Sequence, residues 1–331
     1  MKRLLLIATI IALGTATARA EVSELKVAQQ YGVSYLPLLV MEDQKLIEKY
    51  AKEAGVANLS VSWTKFAGGN VMNDGLLSGS LDIASGGVGP LVKLWAKTRS
   101  NYDVRAIAAL NIMPLYLNTN DPNVKTIKDF TAKDKIALPA VKVSIQAVTL
   151  QMAAEQAFGP GQQNRLDALT VTMSHPDGMT AMLSGKSEVT SHFTSPPFQY
   201  QELADPKVHT VLSSYDVLGG PATFNLVWTT AKFRQQNPKV YAAFVKALEQ
   251  SIAMINKDKK WASELYLRTS KNKSSVDDIL KILDDPKVAF TTTPQNVMKY
   301  VDFMYKTKSI DVMPKSWKDL FFPEVQNQPG S

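Results

Sequence analysis

The chain has 331 residues, of which 45% are hydrophobic and 20% charged, and its formal net charge at pH 7 is +7. This composition excludes a disordered chain, and the length predicts one large or two medium domains. The absence of cysteine excludes a disulfide framework, thiolate metal sites and a lipid-modified cysteine at the N-terminus. The basic residues form no stripe interleaved with aromatic residues, so we expect no nucleic acid as a partner.

The first 20 residues have the pattern of a secretory signal peptide. Lys2 and Arg3 precede an apolar run at 4–13, and Ala18-Arg19-Ala20 fits a small-x-small cleavage site. The run is too short to span a membrane, which argues against an uncleaved anchor. We therefore predict cleavage before Glu21. Export of a chain without cysteine favours the periplasm of a Gram-negative bacterium.

The next part of the chain predicts a strand–helix–strand–helix–strand unit. Strands are indicated at 25–29, 59–66 and 81–84. The first helix is expected to begin at Pro37 and end at Gly55; the second is expected to begin near Asn70, as its cap, and end at Gly79. The segment Gly86-Gly87-Val88-Gly89-Pro90 then predicts a loop that leads into another helix.

The same unit recurs about a hundred residues later. Leu77-Ser78-Gly79 returns as Leu183-Ser184-Gly185, and Pro90 returns as Pro196. The predicted strands lie at 135–138, 169–173 and 188–190, the helices at 144–158 and 176–185, and a loop at 192–197. Strands that alternate with helices predict an α/β fold with a doubly wound, mainly parallel sheet in each unit.

Two extended segments at the unit boundaries, 111–118 and 223–228, predict a hinge of two strands. After Trp228 the pattern becomes helical, with apolar residues every four positions from Val240. The expected domains are the signal peptide at 1–20, lobe 1 at 21–117 and 226–331, and lobe 2 at 118–225, the second part of lobe 1 being mostly helical.

The repeated LxSGxxDxA-like unit, the GGVGP segment and Thr229, Thr230, Phe233 and Pro238 resemble bacterial periplasmic binding proteins. The similarity is to the nitrate, sulfonate and taurine group of ABC-importer receptors and covers nearly the whole chain after residue 20. It implies a two-lobed, type II periplasmic-binding-protein fold that closes on a small-molecule solute and delivers it to an inner-membrane ABC permease. Fungal thiamine-pyrimidine synthases look similar in fold, but they carry a cysteine-rich motif that this chain lacks.

Candidate ligand-binding residues follow from the loops beyond the carboxyl ends of the strands and from the helix N-termini, which favour anions. They are Gln30, Tyr31, Tyr35, Gly68, Gly69, Gly86, Gly87, Val88, Asn118, Ser144, Gln146, His192, Phe193, Thr194 and Asn225. Two interpretations stay open for several of them. Ser144 either caps its helix or contacts the ligand, and the glycines either form tight turns or let a ligand approach the backbone.

The histidines make a weak case for a metal site, so we expect no metal and no cofactor. His192 is expected to contact the ligand, whereas His175 is expected to be solvent-exposed. Replacement of Phe193 by alanine is expected to weaken binding without unfolding the protein. No nucleophile elbow, zinc-protease motif or P-loop is present, so no catalytic residue is predicted.

These features predict a monomeric periplasmic receptor for a small organic anion such as a sulfonate, taurine or a nitrate-like solute. Tyr31, Tyr35, Phe193 and Trp228 leave open an aromatic or pyrimidine-like solute. An exported enzyme on the same fold is a further alternative, although the missing nucleophile counts against it. The sequence does not separate transport from signalling to a membrane sensor kinase.

Overall fold

The structure is a computed structural model and describes residues 20–331. The predicted signal peptide, apart from Ala20, lies outside the described residues. Between residues 20 and 331, no helix is both long enough and apolar enough to cross a membrane.

Strands and helices alternate through most of the described chain. The strands are β1 (Glu24–Gln29), β2 (Ser60–Lys65), β3 (Ala84–Gly87), β4 (Arg105–Ala109), β5 (Asn111–Ile112), β6 (Tyr116–Thr119), β7 (Lys135–Leu138), β8 (Thr170–Thr172), β9 (Val189–Thr194), β10 (His209–Ser213), β11 (Asn225–Thr229) and β12 (Ala289–Phe290). The helices are α1 (Leu36–Asp43), α2 (Leu46–Glu53), α3 (Gly69–Ser78), α4 (Val88–Thr98), α5 (Ile145–Phe158), α6 (His175–Ser184), α7 (Phe198–Leu203), α8 (Ser214–Leu218), α9 (Ala231–Gln236), α10 (Pro238–Lys257), α11 (Lys259–Ser270), α12 (Val276–Asp284) and α13 (Val297–Lys306).

The first sheet combines the first four strands with β11, which follows the second repeat in sequence. β1 pairs in parallel with β2 over its whole length. β3 joins β1 through a parallel bridge between Val27 and Ile83 and a hydrogen bond of 2.9 Å from Ala28 N–H to the carbonyl of Ile83. β11 then lies antiparallel between β3 and β4. The three parallel strands are those that the repeat predicts, and the α/β class is confirmed.

The second sheet has the strand order β10-β6-β9-β7-β8. β7 pairs in parallel with β8 and β9, as the second repeat predicts. β6 is antiparallel to both β9 and β10. Each sheet therefore consists of a parallel unit from one repeat that is extended by antiparallel strands.

Two chain segments connect the sheets and hydrogen-bond to each other. Leu110 N–H donates to the carbonyl of Asn225 at 2.8 Å, and Phe224 N–H donates to that of Asn111 at 3.1 Å. An antiparallel bridge joins Ile112 to Thr223. The chain thus passes from the first sheet to the second and back along one paired ribbon.

Two strands extend further than the sequence predicts. β3 includes Gly86 and Gly87, and β9 includes the predicted loop residues His192–Thr194. In both cases an antiparallel neighbour supplies the extra ladder: β11 pairs with β3 as far as Gly87, and β6 pairs with β9 as far as Thr194. Both neighbours are distant in sequence from the strands that they extend.

Two helix boundaries also differ from the prediction. The helix expected to run from Pro37 to Gly55 is divided into α1 and α2, because Lys45 adopts a left-handed conformation with φ of 49°. The N-cap of α3 is Gly68 and not Asn70.

The C-terminal helices contact both halves of the molecule. α10 packs against α1 and α2, beside the first sheet, whereas α13 packs against both α4 and α5. Tyr300 Oη lies 3.3 Å from Thr149 Oγ1 of α5, and Lys306 Nζ pairs with the Glu155 carboxylate at 2.6 Å. The helical region therefore buttresses α5, a helix of the second repeat, as well as the first sheet.

Candidate functional site

A small pocket lies where the loops of the two sheets face each other. Its walls are Gln30, Tyr35, Gly69, Gly87, Pro90, Pro139, Ser144, Ile145, Gln146, His175, Phe224 and Asn225. The free space among them is about 10 Å³, which holds a single water molecule. A larger solute can therefore enter only if the loops of the two sheets move apart.

Four helices direct their N-termini at this pocket. Gly69 is the first residue of α3, Gly87 is the N-cap of α4, Ser144 is the N-cap of α5, and His175 is the first residue of α6. The positive end of a helix dipole and the unpaired N–H groups of the first turn both attract an anion. α3 and α4 have no side-chain cap, so their first N–H groups are not used by a capping side chain.

The pocket wall contains no lysine, arginine, aspartate or glutamate. Backbone dipoles and neutral side chains therefore supply its electrostatic character. Such a site suits one negative charge better than two, since a doubly charged oxyanion is usually matched by the fork of a guanidinium group.

Asn225 offers a polar atom that the protein leaves without a partner. Its side chain is fully buried, its Nδ2 donates to Ser34 Oγ at 2.9 Å, and its Oδ1 has no hydrogen-bond partner. Burying an unpaired oxygen costs about 1–3 kcal/mol, so this atom is a natural acceptor for a donor group of a solute. A hydrogen bond of 2.5 Å from Asn111 Nδ2 to the Ser34 carbonyl fixes the position of Ser34, the partner of Asn225.

Tyr35 supplies a neutral hydroxyl to the pocket wall near Asn225 and Gln30. Burial raises the pKa of Tyr35 well above its usual range and outweighs the opposing hydrogen bonds from Asn225 and Gln30. The phenol therefore keeps its proton at every physiological pH and can donate a hydrogen bond to a solute.

Ser144 caps α5: its Oγ accepts the N–H of Ala147 at 3.2 Å. Replacement of Ser144 by alanine is expected to lower the free energy of unfolding by about 1 kcal/mol, because the cap is lost. Urea denaturation measures this change. The matched variant Ser174→Ala should lose at least as much, because Ser174 caps α6 and also bonds Asp177. An unchanged stability in Ser144→Ala would show that this cap contributes nothing.

His175 lies in the pocket wall and is only 4% exposed. The prediction that it is solvent-exposed is wrong. The ring of Phe198 stacks on it with a centroid distance of 5.6 Å and an interplanar angle of 26°. Burial is the main cause that lowers the pKa of His175 well below its usual value, and a positive charge on neighbouring His192 would act in the same direction. Sequence reasoning missed this residue because its cover comes from α7, which was not predicted.

Several predicted residues lie behind the pocket wall. His192 Nε2 is 3.2 Å from His175 Nδ1, and Thr194 Oγ1 is 3.0 Å from the same atom. Asn118 Nδ2 donates to the Glu202 carboxylate at 2.9 Å. These three side chains meet His175 or its neighbours, and none of them lines the pocket, which corrects their placement as ligand contacts.

Phe193 lies in the hydrophobic core and is fully buried. Successive side chains of a strand point to opposite faces, so His192 and Thr194 face His175 while Phe193 points the other way. The sequence placed these residues in a loop, where alternation does not apply. The extension of β9 into a strand thus removes Phe193 from the predicted site.

The predicted glycines bring the two halves into close contact. A Cβ added to Gly87 would lie 2.6 Å from Ile145 Cβ, and one added to Gly68 would lie 2.7 Å from the carbonyl oxygen of Pro139. A Cβ on Gly86 would lie 3.1 Å from Gln30 Nε2. Val88, the first residue of α4, is fully buried. The closeness of α4 to α5 thus depends on the missing side chain of Gly87.

A larger chamber of about 410 Å³ adjoins the pocket at Gln30. Tyr31 lines this chamber and not the inner pocket, as do the apolar side chains of Leu39, Met179 and Phe198. Three lysines also line it: Lys65, Lys271 and Lys273. The site therefore combines a small polar inner pocket with a roomier, partly apolar and basic outer chamber.

The family model described as the NMT1-like family matches residues 18–266. The chain belongs to the NMT1-like family. Among curated proteins, none matches the sequence significantly.

Solved structures with the same architecture cover most of this NMT1-like chain. The alkanesulfonate-binding protein SsuA of Xanthomonas axonopodis pv. citri, bound to MOPS, is 15% identical with a TM-score of 0.67, covering 89% of this chain and 96% of its own. The periplasmic nitrate-binding protein NrtA of Synechocystis is 17% identical with a TM-score of 0.59, covering 79% of this chain and 70% of its own. Both are described as binding proteins and not as enzymes.

A Candida albicans protein described as having the generic periplasmic binding protein fold is 18% identical, with a TM-score of 0.66. It covers 90% of this chain and 93% of its own. At identities this low, the TM-scores establish a shared fold and nothing more. The predicted periplasmic-binding-protein fold of this NMT1-like chain is confirmed.

Proposed function

We propose that the protein is a periplasmic solute receptor that closes on a small organic anion and delivers it to an inner-membrane ABC permease. The observation that supports this most strongly is the convergence of four helix N-termini on one pocket without any acidic side chain. The solved alkanesulfonate-binding and nitrate-binding proteins with this fold favour the same class of solute.

The inner pocket suits the charged head of such a solute. Its donors are neutral, which suits one singly charged group, and with the facing loops further apart it would hold a single sulfonate, carboxylate or similar group. The body of the solute would extend past Gln30 into the outer chamber, where Leu39 and Phe198 offer apolar contact. Lys65, Lys271 and Lys273 around that chamber would raise the local concentration of anions.

Closure would occur between two lobes, which we place at 21–117 with 226–331, and at 118–225. The paired ribbon through Asn111 and Asn225 would act as the hinge. A backbone hydrogen bond of 3.1 Å from Val33 N–H to the carbonyl of Pro196 joins the facing loops, as does the contact of Gly87 with Ile145. A solute that touches both lobes favours the closed form, because it binds that form more tightly. The receptor acts as a monomer in this scheme.

Tyr35 and Phe224 in the pocket wall favour an aromatic or pyrimidine-like solute as the alternative. A planar ring could stack on either side chain, and Asn225 Oδ1 could accept a hydrogen bond from a ring amino group. The alternative solute would offer hydrogen-bond donors to the pocket, whereas an anion offers only acceptors at its charged group.

Native mass spectrometry of the gently purified protein, followed by denaturation, identifies any co-purified solute. We expect the mass of a sulfonic or other small organic acid. A neutral pyrimidine-like mass would overturn the anion proposal in favour of the alternative. If no solute co-purifies, titration with ethanesulfonate, taurine and nitrate decides, and a failure of all three to bind would contradict the proposal.

A further inference from the structure

A chain of four buried side chains leads away from the pocket into the second half of the molecule. We call Gln146, His175, His192 and Glu202 the relay. Gln146 Nε2 lies 3.4 Å from His175 Nε2, His175 Nδ1 lies 3.2 Å from His192 Nε2, and His192 Nδ1 lies 2.5 Å from Glu202 Oε1. None of the four side chains is more than 4% exposed. Only its first two members touch the pocket.

The packing around the relay holds these distances. Asn118 Nδ2 donates to the second carboxylate oxygen of Glu202 at 2.9 Å. α6 carries Gly178 where it meets His192, and a Cβ there would lie 2.7 Å from His192 Nε2. The four ring nitrogens thus contact Gln146, Thr194, each other and Glu202. This leaves no open coordination position, and none of the described residues forms a cluster able to hold a metal ion.

Each contact in the relay needs one hydrogen, and the hydrogens can be counted. The Gln146 amide donates to His175 Nε2, so the hydrogen of a neutral His175 resides on Nδ1. His175 Nδ1 then donates to His192 Nε2 and shares that hydrogen with Thr194 Oγ1 at 3.0 Å, and His192 Nδ1 donates to the Glu202 carboxylate. The relay is complete with two neutral imidazoles and one carboxylate, and every hydrogen points towards Glu202. In this state the one acceptor nitrogen of His175, Nε2, is taken by the Gln146 amide, and the ring offers no donor to the pocket.

A third hydrogen has one position left, which is His175 Nε2 at the pocket. The positive charge that it brings is shared along the two rings and balanced by Glu202. His175 Nε2 is then an N–H donor, the Gln146 amide can no longer donate to it, and both N–H groups become available to the solute. Two donor nitrogens 3.4 Å apart form a cradle that the oxygens of a carboxylate or sulfonate can bridge.

We infer that the relay takes up one proton from solvent when an anionic solute enters the pocket, so that the receptor binds an anion together with a proton. The inference rests on the proposed function. Without the proton, the solute would add a second buried negative charge to that of Glu202, and each unpaired buried charge costs several kcal/mol. With the proton, the charge of the buried site is the same before and after binding.

Of the titratable groups around the relay, Glu202 is the one that balances the positive charge of the added proton. The other titratable side chains on the elements packed against it are Glu155 on α5, Asp177 on α6, Tyr200 on α7, Tyr116 on β6, Lys135 on β7 and Tyr35 in the pocket wall. Glu155 pairs with Lys306. Asp177 accepts a hydrogen bond from Ser174, and Tyr116 and Tyr200 meet edge to face at 5.9 Å. Lys135 lies at the far end of β7, opposite Val189. Burial is the main cause of the lowered pKa of His175, and it favours a relay that carries no third proton before the solute arrives.

Titration calorimetry with ethanesulfonate, carried out in phosphate and in Tris, measures how many protons the protein takes up on binding, because the two buffers differ in ionisation enthalpy. Ethanesulfonate stays ionised near neutral pH, so every proton exchanged belongs to the protein. We expect an uptake close to one proton per bound anion near pH 7.5, and an affinity that falls by about tenfold for each pH unit above neutrality. Binding without proton uptake overturns the relay and leaves the proposed function intact. If ethanesulfonate, taurine and nitrate all fail to bind, both are overturned.

Variants locate the proton. Glu202→Gln keeps the size of the side chain but removes the balancing charge, so its uptake should fall towards zero. His175→Gln should behave alike and serves if Glu202→Gln does not fold. His209→Gln is the matched control, because His209 bonds the Val124 carbonyl outside the relay, and its uptake should stay close to one. Uptake that persists in Glu202→Gln and His175→Gln overturns the inference. So does a nitrogen NMR spectrum of the solute-free protein that shows hydrogen on His175 Nε2 near pH 7.5.

Discussion

Replacement of Phe193 by alanine is expected to lower the free energy of unfolding by about 3–5 kcal/mol. Phe193 is fully buried in the hydrophobic core, on β9 at the centre of the second sheet and opposite Leu117 of β6. Loss of its ring leaves a cavity that neighbouring strands cannot close, so the cost combines lost burial with lost packing. A urea titration followed by circular dichroism measures the effect as a lower midpoint.

Tyr305→Ala is the matched control, because it also removes an aromatic ring but at a position 47% exposed. Its expected effect is within about 0.5 kcal/mol. The sequence alone predicts the opposite for Phe193, namely weaker solute binding in a stable protein. That result, with full stability and lost affinity, would place Phe193 on the pocket wall and contradict the structure.

Replacement of Gly87 by alanine is expected to weaken anion binding at least tenfold, or by about 1.4 kcal/mol. The new methyl group would lie 2.6 Å from Ile145 Cβ, so α4 and α5 could no longer bring their N-termini this close. Gly87 has φ of −71° and ψ of 167°, a conformation that alanine adopts without strain. The fold should therefore keep nearly all of its stability while the site loses affinity. Titration calorimetry with ethanesulfonate measures the loss.

A second substitution tests the cause of that loss. Ile145→Gly removes the side chain that the new methyl group meets, so affinity in the double variant should recover towards that of Ile145→Gly alone. If the double variant loses as much binding free energy as the two single variants together, the two positions act independently. Unchanged affinity in Gly87→Ala itself would show that the contact between α4 and α5 plays no part in binding.

The sequence predicts the parallel units well because their signals are local. The ends of α3 and α6 each need a residue with positive φ, and Gly79 and Gly185 supply it at φ of 78° and 60°. The alternation of short apolar runs with helices gives the order of the elements in both repeats. Gln30, Tyr35, Gly69, Gly87, Ser144, Gln146 and Asn225 were predicted site residues and do line the pocket.

The remainder depends on contacts between distant parts of the chain. The extent of β9 is set by β6, some seventy residues earlier, and that pairing decides that Phe193 faces the core while His192 faces His175. The burial of His175 depends on Phe198, and the relay depends on Glu202 of a helix with only six residues. Neither hydrophobic periodicity nor a sequence motif predicts such contacts between distant residues.

Titration calorimetry with ethanesulfonate and ethyl methyl sulfone tests most directly whether the pocket is an anion site. The two molecules have nearly the same shape, and only the first is charged. We expect ethanesulfonate to bind at one site per chain with micromolar affinity, or about −8 kcal/mol, and the sulfone to bind at least a hundredfold more weakly. Equal or tighter binding of the neutral sulfone would show that the four helix N-termini do not select for charge, and would contradict the proposed function.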